Sequence, residues 1–245
     1  KTPHEFLIRA AEVVRTGIGQ PAYYNDEVII PSLMSRGVSL EDARDYNIIG
    51  CVEPQKSGKT WGWHDAAFFN MCRPMELVFS NGVDNGKQIS VRTGEISELD
   101  TFDKFYNAYI EQTYKLIDDA VKISDFYDRH FIEMSPSPML SGNFEYAVKQ
   151  GKDVYFNGSK YHNTVITISC LASATDSLYA IKKYVYDNKK ITLEELNKAL
   201  KADWVGYEEL QAEIVTDDEK FGNNIDAVDK IAVDVMDKVA KKILS

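Results

Sequence analysis

The chain has little of what a metal site, a disulfide scaffold or a membrane span requires. Its 245 residues include three cysteines and four histidines. Cys51, Cys72 and Cys170 are odd in number and far apart, which excludes a disulfide framework. The histidines are equally scattered, so no spacing suits a metal centre, and the expectation is no metal. No apolar run approaches the roughly 20 residues of a membrane helix, and no leader pattern opens the sequence. Positive charge is also scarce, with 28 Lys and Arg against 38 Asp and Glu and a net charge of −10. A nucleic acid or an anionic membrane surface requires basic patches, so neither is an expected partner. The unpaired thiols fit a reducing compartment, and a cytoplasmic location is expected. What the chain does have is 44% hydrophobic content, enough for a sizeable core in one or two domains.

Periodicity and punctuation predict many helices and few strands. Thr2-Pro3-His4-Glu5 reads as a capping box before a helix carrying Phe6, Leu7, Ala10, Val13 and Val14, ended by Gly17 and Gly19. Pro21–Tyr24 reads as a short strand. Asn25 or Asp26 caps a short helix, and Ser39 caps another over Leu40 to Tyr46. Asn47–Ile49 reads as a short buried strand, and Ala66–Ser80 as a helix. Asn81-Gly82 and Asn85-Gly86 mark turns within an irregular stretch to Leu99. Asp100 or Thr101 caps a long amphipathic helix with Phe102, Phe105, Tyr109, Leu116 and Ile117 on one side, broken by Pro136 and Pro138. Ser141–Gln150 reads as a helix stopped by Gly151, and Asp153–Phe156 as a strand. Thr164–Cys170, rich in β-branched residues, reads as another. Asp176 is expected to cap a helix to Tyr186. Thr192-Leu193-Glu194-Glu195 opens a helix to about Ala202. A last helix from Asn224 or Asp226 presents Ile225, Val228, Ile231, Ala232, Val235, Val239 and Ile243. Strands separated by long helical excursions indicate the α/β class.

The stretch Gly50-Cys51-Val52-Glu53-Pro54-Gln55 carries the chemistry. Residues i and i+2 of an extended segment point to one side, and Pro54 biases Glu53 toward extended backbone. Gly50 permits a tight turn before the thiol. The expectation is a stiff loop presenting Cys51 and Glu53 to one cavity, where exclusion of water raises the Glu53 pKa. A thiol for one-electron chemistry beside a carboxylate for proton transfer suggests radical abstraction followed by elimination. Cys-x-Glu alone reads more readily as a small buried thiol beside a surface acid, and its surroundings are what change that reading.

Its surroundings resemble the glycyl radical enzymes of the pyruvate formate-lyase superfamily, closest to the glycerol and propanediol dehydratase branch. The resemblance rests on Tyr24-Asn25-Asp26-Glu27-Val28-Ile29-Ile30-Pro31, on Asp42-Ala43-Arg44-Asp45-Tyr46 leading into the cysteine stretch, and on Gly58-Lys59-Thr60. It continues through Gly62-Trp63-His64-Asp65-Ala66-Ala67-Phe68-Phe69-Asn70, Asp176-Ser177-Leu178 and Phe221-Gly222-Asn223-Asn224-Ile225-Asp226. Tyr161–Ile166 and Asp128–Phe131 depart from the dehydratase pattern.

The resemblance implies part of a ten-stranded α/β barrel, with the cysteine loop, at about residues 48–60, entering its centre. It implies that residues 1–245 are a central fragment, the radical-glycine domain being absent, and that the fragment alone is inactive. The implied cofactor is a glycyl radical on a C-terminal glycine outside this chain, and the implied activator is a radical S-adenosylmethionine enzyme. A small-molecule substrate and a homodimeric parent are also implied. On this view a Cys51 thiyl abstracts hydrogen, and Glu53 is the base in dehydration of a diol or hydroxylated small molecule. The alternatives are another glycyl radical lyase (an arylacetate decarboxylase, a carbon–sulfur or carbon–nitrogen lyase, or a formate acetyltransferase-like enzyme) or a catalytically silent fragment. Asp65 is the first candidate for binding a substrate hydroxyl and His64 the second, with a packed core histidine as its bland reading. Trp61 and Trp63 read as packing residues and Cys72 and Cys170 as inert thiols. His130 and His162 have no assigned role.

Overall fold

A computed structural model describes residues 2–244. In chain order its elements are α1 (His4–Val14), α2 (Asp26–Ser35), α3 (Leu40–Arg44), β1 (Asn47–Ile49), β2 (Glu53–Gln55), β3 (Thr60–Trp61), β4 (Ala67–Asn70), α4 (Arg73–Phe79), β5 (Val83–Asp84) and β6 (Lys87–Gln88). A 3-10 turn (Ile96–Glu98) precedes α5 (Phe102–Met134), α6 (Pro138–Ser141), α7 (Glu145–Gln150), β7 (Tyr161–His162), β8 (Ile166–Ser169) and α8 (Leu171–Ala180). The last runs on as a π-helical segment, Ile181–Asp187, before α9 (Leu193–Lys201), α10 (Glu208–Thr216) and α11 (Asp226–Leu244). Many helices with few, short strands, two pairs of them parallel, agree with the α/β class expected from the pattern.

The chain divides into two compact units. The first comprises Lys1–His64 and Ile132–Asn163. Its strands form an antiparallel hairpin, β1 with β2, and a parallel ladder, β3 with β7. Leu33, Val38 and Ala43 form one small core and Phe144, Ala147 and Val154 another. The ladder is anchored by Asp42, 3% exposed, whose carboxylate accepts from Lys59, from Lys160 at 2.7 Å and from the Tyr161 hydroxyl at 2.7 Å. These donors hold the Asp42 carboxyl far below the usual carboxylate range, Lys160 contributing most. Gly62 has φ +151°, and a Cβ there would lie 1.8 Å from the Asn163 carbonyl oxygen, so only glycine fits beside the end of β7.

The second unit comprises Asp65–Phe131 and Thr164–Ser245. Its parallel pair, β4 with β8, runs in register from Ala67 opposite Ile166 to Asn70 opposite Ser169. Phe105, Tyr109, Val78, Leu178, Val235 and Val239 are buried in its core. The Tyr109 hydroxyl donates to the Met71 carbonyl at 3.0 Å, which satisfies a polar tip inside that core. Asn85 and Gly86, both at positive φ, turn the β5–β6 hairpin.

Several elements differ from the sequence reading. Ala66–Ser80 is not one helix: Phe68 and Phe69 sit in β4, and the Asn70 side chain accepts the Cys72 amide in a turn. Pro74 then opens α4, where a proline lacking N–H is tolerated. Pro21–Tyr24 is irregular, with no strand paired to it. The Thr2 capping box does not form. Pro3 is the N-cap of α1 and makes no side-chain cap bond, and Phe6, Leu7 and Ile8 are exposed while Ala10 is buried. Asp153–Phe156 is a turn because Asp153 uses both carboxylate oxygens locally, on the Tyr155 amide and on the Ser137 amide and Ser141 hydroxyl. Asp176 lies inside α8, whose N-cap is Cys170, and accepts instead from the Phe221 amide. Ile243 is exposed, and α10 had no predicted counterpart. Asn25, Ser39 and the Thr192–Glu195 capping box cap their helices as expected.

Candidate active site

The cysteine lies at the tip of the β1–β2 hairpin. Ile49 pairs with Glu53, leaving Gly50-Cys51-Val52 as a three-residue loop. Gly50 takes φ +58°. A Cβ there would meet Glu53 Oε2 at 2.8 Å, so glycine serves both the left-handed turn and the room for the carboxylate. Across the loop the Tyr24 hydroxyl donates to the Cys51 carbonyl at 2.7 Å. No local pattern around Tyr24 singles out that bond, although the residue opens the stretch Tyr24–Pro31.

Cys51 and Glu53 do not share one side of an extended strand. Cys51 sits in the turn and is exposed, whereas Glu53 begins β2 and is 8% exposed. The carboxylate curls back beneath the loop, and its Oε2 accepts the Cys51 and Val52 amides, both at 2.9 Å. The i, i+2 rule fails because three residues of turn replace the alternation. The two residues are nonetheless coupled: the base candidate grips the backbone of the thiol candidate.

The same clamp reverses the expected pKa shift. The Val52 amide, with the Glu53 and Cys51 amides, holds the Glu53 carboxyl below its ordinary value, and these donors outweigh burial. Nearby His64 adds to the lowering. Burial in turn pushes the His64 imidazole down, against the raising influence of the Gly62 backbone and Glu53. His64 Nε2 is buried and has no hydrogen-bond partner. That differs from a packed, fully satisfied core histidine, because a buried polar atom left orphaned costs free energy unless something else meets it.

In the first unit, Glu53 thus links the Cys51 backbone, which it holds by hydrogen bond, to His64, with which it interacts electrostatically. Asp65 belongs to the second unit, where it is exposed and accepts from the Thr167 hydroxyl at 3.3 Å. Trp61 packs edge-on against Phe144 and Tyr155, with ring centroids at 6.1 and 5.4 Å, and Trp63 packs on Tyr155 at 5.9 Å, in keeping with packing roles. Cys72 is half-buried, and burial pushes its thiol up. Cys170 is exposed rather than buried in the core. His130 stacks on Phe126, 4.4 Å between ring centroids. Among the described residues no helix is long and apolar enough to cross a membrane.

Comparison with known proteins covers the whole chain. The family model for pyruvate formate lyase-like proteins matches residues 1–245. The chain is 34% identical over 233 residues to (2S)-3-sulfopropanediol dehydratase of Klebsiella oxytoca, covering 94% of this chain and 28% of that protein. The glycerol-bound B12-independent glycerol dehydratase from Clostridium butyricum superposes with a TM-score of 0.85 at 46% identity, over 99% of this chain and 31% of that one. A Roseburia inulinivorans structure solved in the context of 1,2-propanediol dehydration gives 0.84 at 44% identity, over 98% of this chain and 31% of that one. The chain thus spans under a third of the length of these relatives. With the match running from the first residue to the last, the chain belongs to the pyruvate formate lyase-like family.

Proposed function

We propose that this chain supplies the thiol and the base of a glycyl radical lyase that dehydrates a diol or another small hydroxylated molecule. The observation that carries the reading is the hairpin tip, where the Glu53 carboxylate holds the amide of Cys51. The exposed Cys51 thiol is open to a redox partner from outside the chain, which fits the family's radical glycine. That glycyl group supplies a one-electron oxidant for the thiol when present.

Once it has lost its own S–H hydrogen, Cys51 as a thiyl takes a hydrogen atom from the carbon bearing a hydroxyl, forming S–H again, and later returns it. Glu53 takes the hydroxyl proton. Its lowered pKa keeps it ionised and ready as an acceptor at neutral pH. Because Oε2 is engaged by two amides, Oε1 is the oxygen assigned to the substrate. His64, neutral at that pH, meets a substrate hydroxyl through its orphaned Nε2. The neighbouring hydroxyl departs with its bonding electron pair and leaves as water, carrying the proton that Glu53 took.

The full-length protein is accordingly proposed to work anaerobically with a radical S-adenosylmethionine activating enzyme, as a homodimer. The test is anaerobic turnover of glycerol and 1,2-propanediol by activated full-length protein, with product aldehydes measured. Cys51→Ser is expected to abolish turnover while the glycyl radical signal persists in electron spin resonance. Activity retained by Cys51→Ser, or turnover in air without activator, overturns the reading.

A further inference from the structure

The proposed chemistry leaves Cys72 and Cys170 unused, yet the fold brings them together from 98 residues apart. The β4–β8 ladder ends at Asn70 opposite Ser169, and the Met71 amide extends it by donating to the Ser169 carbonyl at 3.1 Å. The next residues are the two cysteines. Each is the N-cap of a helix leaving its strand, Cys72 of α4 and Cys170 of α8. Cys72 Sγ lies 4.0 Å from the Cys170 carbonyl oxygen.

We infer that Cys72 and Cys170 form an oxidisable pair, a site where a small disulfide oxidant closes an intrachain disulfide. Just past the end of the ladder the Cys72 side chain already reaches the Cys170 backbone, its Sγ 4.0 Å from that residue's carbonyl oxygen. Both residues have left the strand alternation that would point them to opposite faces. Cys72 has helical φ −80°, and Cys170 the left-handed φ +63°. A left-handed non-glycine residue is strained, and such backbone persists where the surroundings fix it, so the direction of the Cys170 Cα–Cβ bond is set by the fold.

The exposure of the two thiols sets the order of events. Oxidised glutathione meets exposed Cys170 first, whose thiolate breaks the glutathione disulfide and releases one glutathione thiolate. Cys72 then loses its proton and attacks the Cys170 sulfur, releasing the second glutathione. The pair gives up two protons and two electrons, and glutathione disulfide is reduced to two thiols. The bridge would tie the start of α4 to the start of α8.

The inference is independent of the proposed catalysis and is tested by peptide mapping. Full-length protein, kept anaerobic and reduced, is incubated with oxidised glutathione, its remaining thiols alkylated, and the digest analysed by mass spectrometry. The expected result is a cross-linked peptide joining Cys72 and Cys170, two hydrogens lighter than its parts, formed equally in Cys51→Ser. In Cys72→Ser, Cys170 is expected to carry glutathione instead. A stable glutathione adduct on Cys170 beside alkylated Cys72 in the wild type, a bridge that involves Cys51, or two alkylated thiols after prolonged incubation each overturns it.

Discussion

Glu53→Ala and Glu53→Gln separate the structural duty of this side chain from its proposed chemical one. The carboxylate is 8% exposed and accepts two amides at 2.9 Å. A hydrogen bond to a charged group contributes about 1.5–3 kcal/mol, and a neutral one about 1 kcal/mol. Cys51 and Val52 are exposed, so amides freed by alanine reach water, and the lower end applies. Two such bonds then contribute about 3 kcal/mol, on the order of 100-fold in local opening at tenfold per 1.4 kcal/mol. Glutamine keeps an amide oxygen for the same donors and is expected to lose about 1 kcal/mol, roughly fivefold. The assay is amide hydrogen exchange at Cys51 and Val52 in the full-length protein, alongside turnover. Alanine should speed exchange on the order of 100-fold and glutamine only a few-fold, while glutamine still lowers turnover by ~10²–10⁴. If alanine leaves exchange within a few-fold of wild type, the clamp is not what holds the loop. If glutamine turns over like wild type, Glu53 is not the base.

Gly50→Ala should disturb the same clamp from the opposite side. Its Cβ would press Oε2 at 2.8 Å, and left-handed alanine adds about 1–2 kcal/mol of strain, so turnover should fall and exchange at Val52 should rise with Glu53 intact. Asp42→Ala leaves Lys59 and Lys160 without their shared acceptor. Since both lysine side chains are about 40% exposed and can rehydrate, the loss is about 2 kcal/mol rather than that of a fully buried pair, read as faster exchange at the Tyr161 amide. The pH dependence of Glu53 has a definite sign. Its pKa is lower folded than unfolded, so its stabilisation is present above the unfolded value and lost as pH falls through the folded one. Its share of the acid limb of kcat/KM should therefore lie below the ordinary glutamate pKa, and a Glu53-dependent limb above that value would contradict the clamp.

Local chemistry made the caps legible in the sequence. Asn25, Ser39 and Thr192 each follow a rule that needs only a few neighbouring residues. The long α5 and the buried face of α11 were likewise legible, because a 3.6-residue period repeated over many turns leaves little ambiguity. β4 was missed since Ala-Phe-Phe-Asn suits a helix as well as a strand, and its choice is made by β8, about 100 residues on. Asp176 resembled a cap only while the start of α8 at Leu171 was unseen. At the candidate site the residue types Cys51, Glu53 and His64 could be named from sequence, but the direction of the Glu53 shift could not. Desolvation alone raises a carboxyl pKa, and only the folded-back loop shows that backbone amides outweigh it.

The spacing of the strand partners also dictates an order of assembly. Residues 47–55 pair with themselves, so the β1–β2 hairpin closes over a three-residue loop. The partners of the two parallel ladders lie about 100 residues apart, Trp61 with His162 and Phe69 with Ile168. Loop-closure cost grows as (3/2)RT ln n, so each of these ladders costs about 3 kcal/mol more to close than the hairpin. During synthesis, neither ladder can begin before residues beyond 160 have emerged, when the cysteine hairpin has long been available. The cysteine turn is thus free to form first from its own nine residues, and each long-range ladder closes only later.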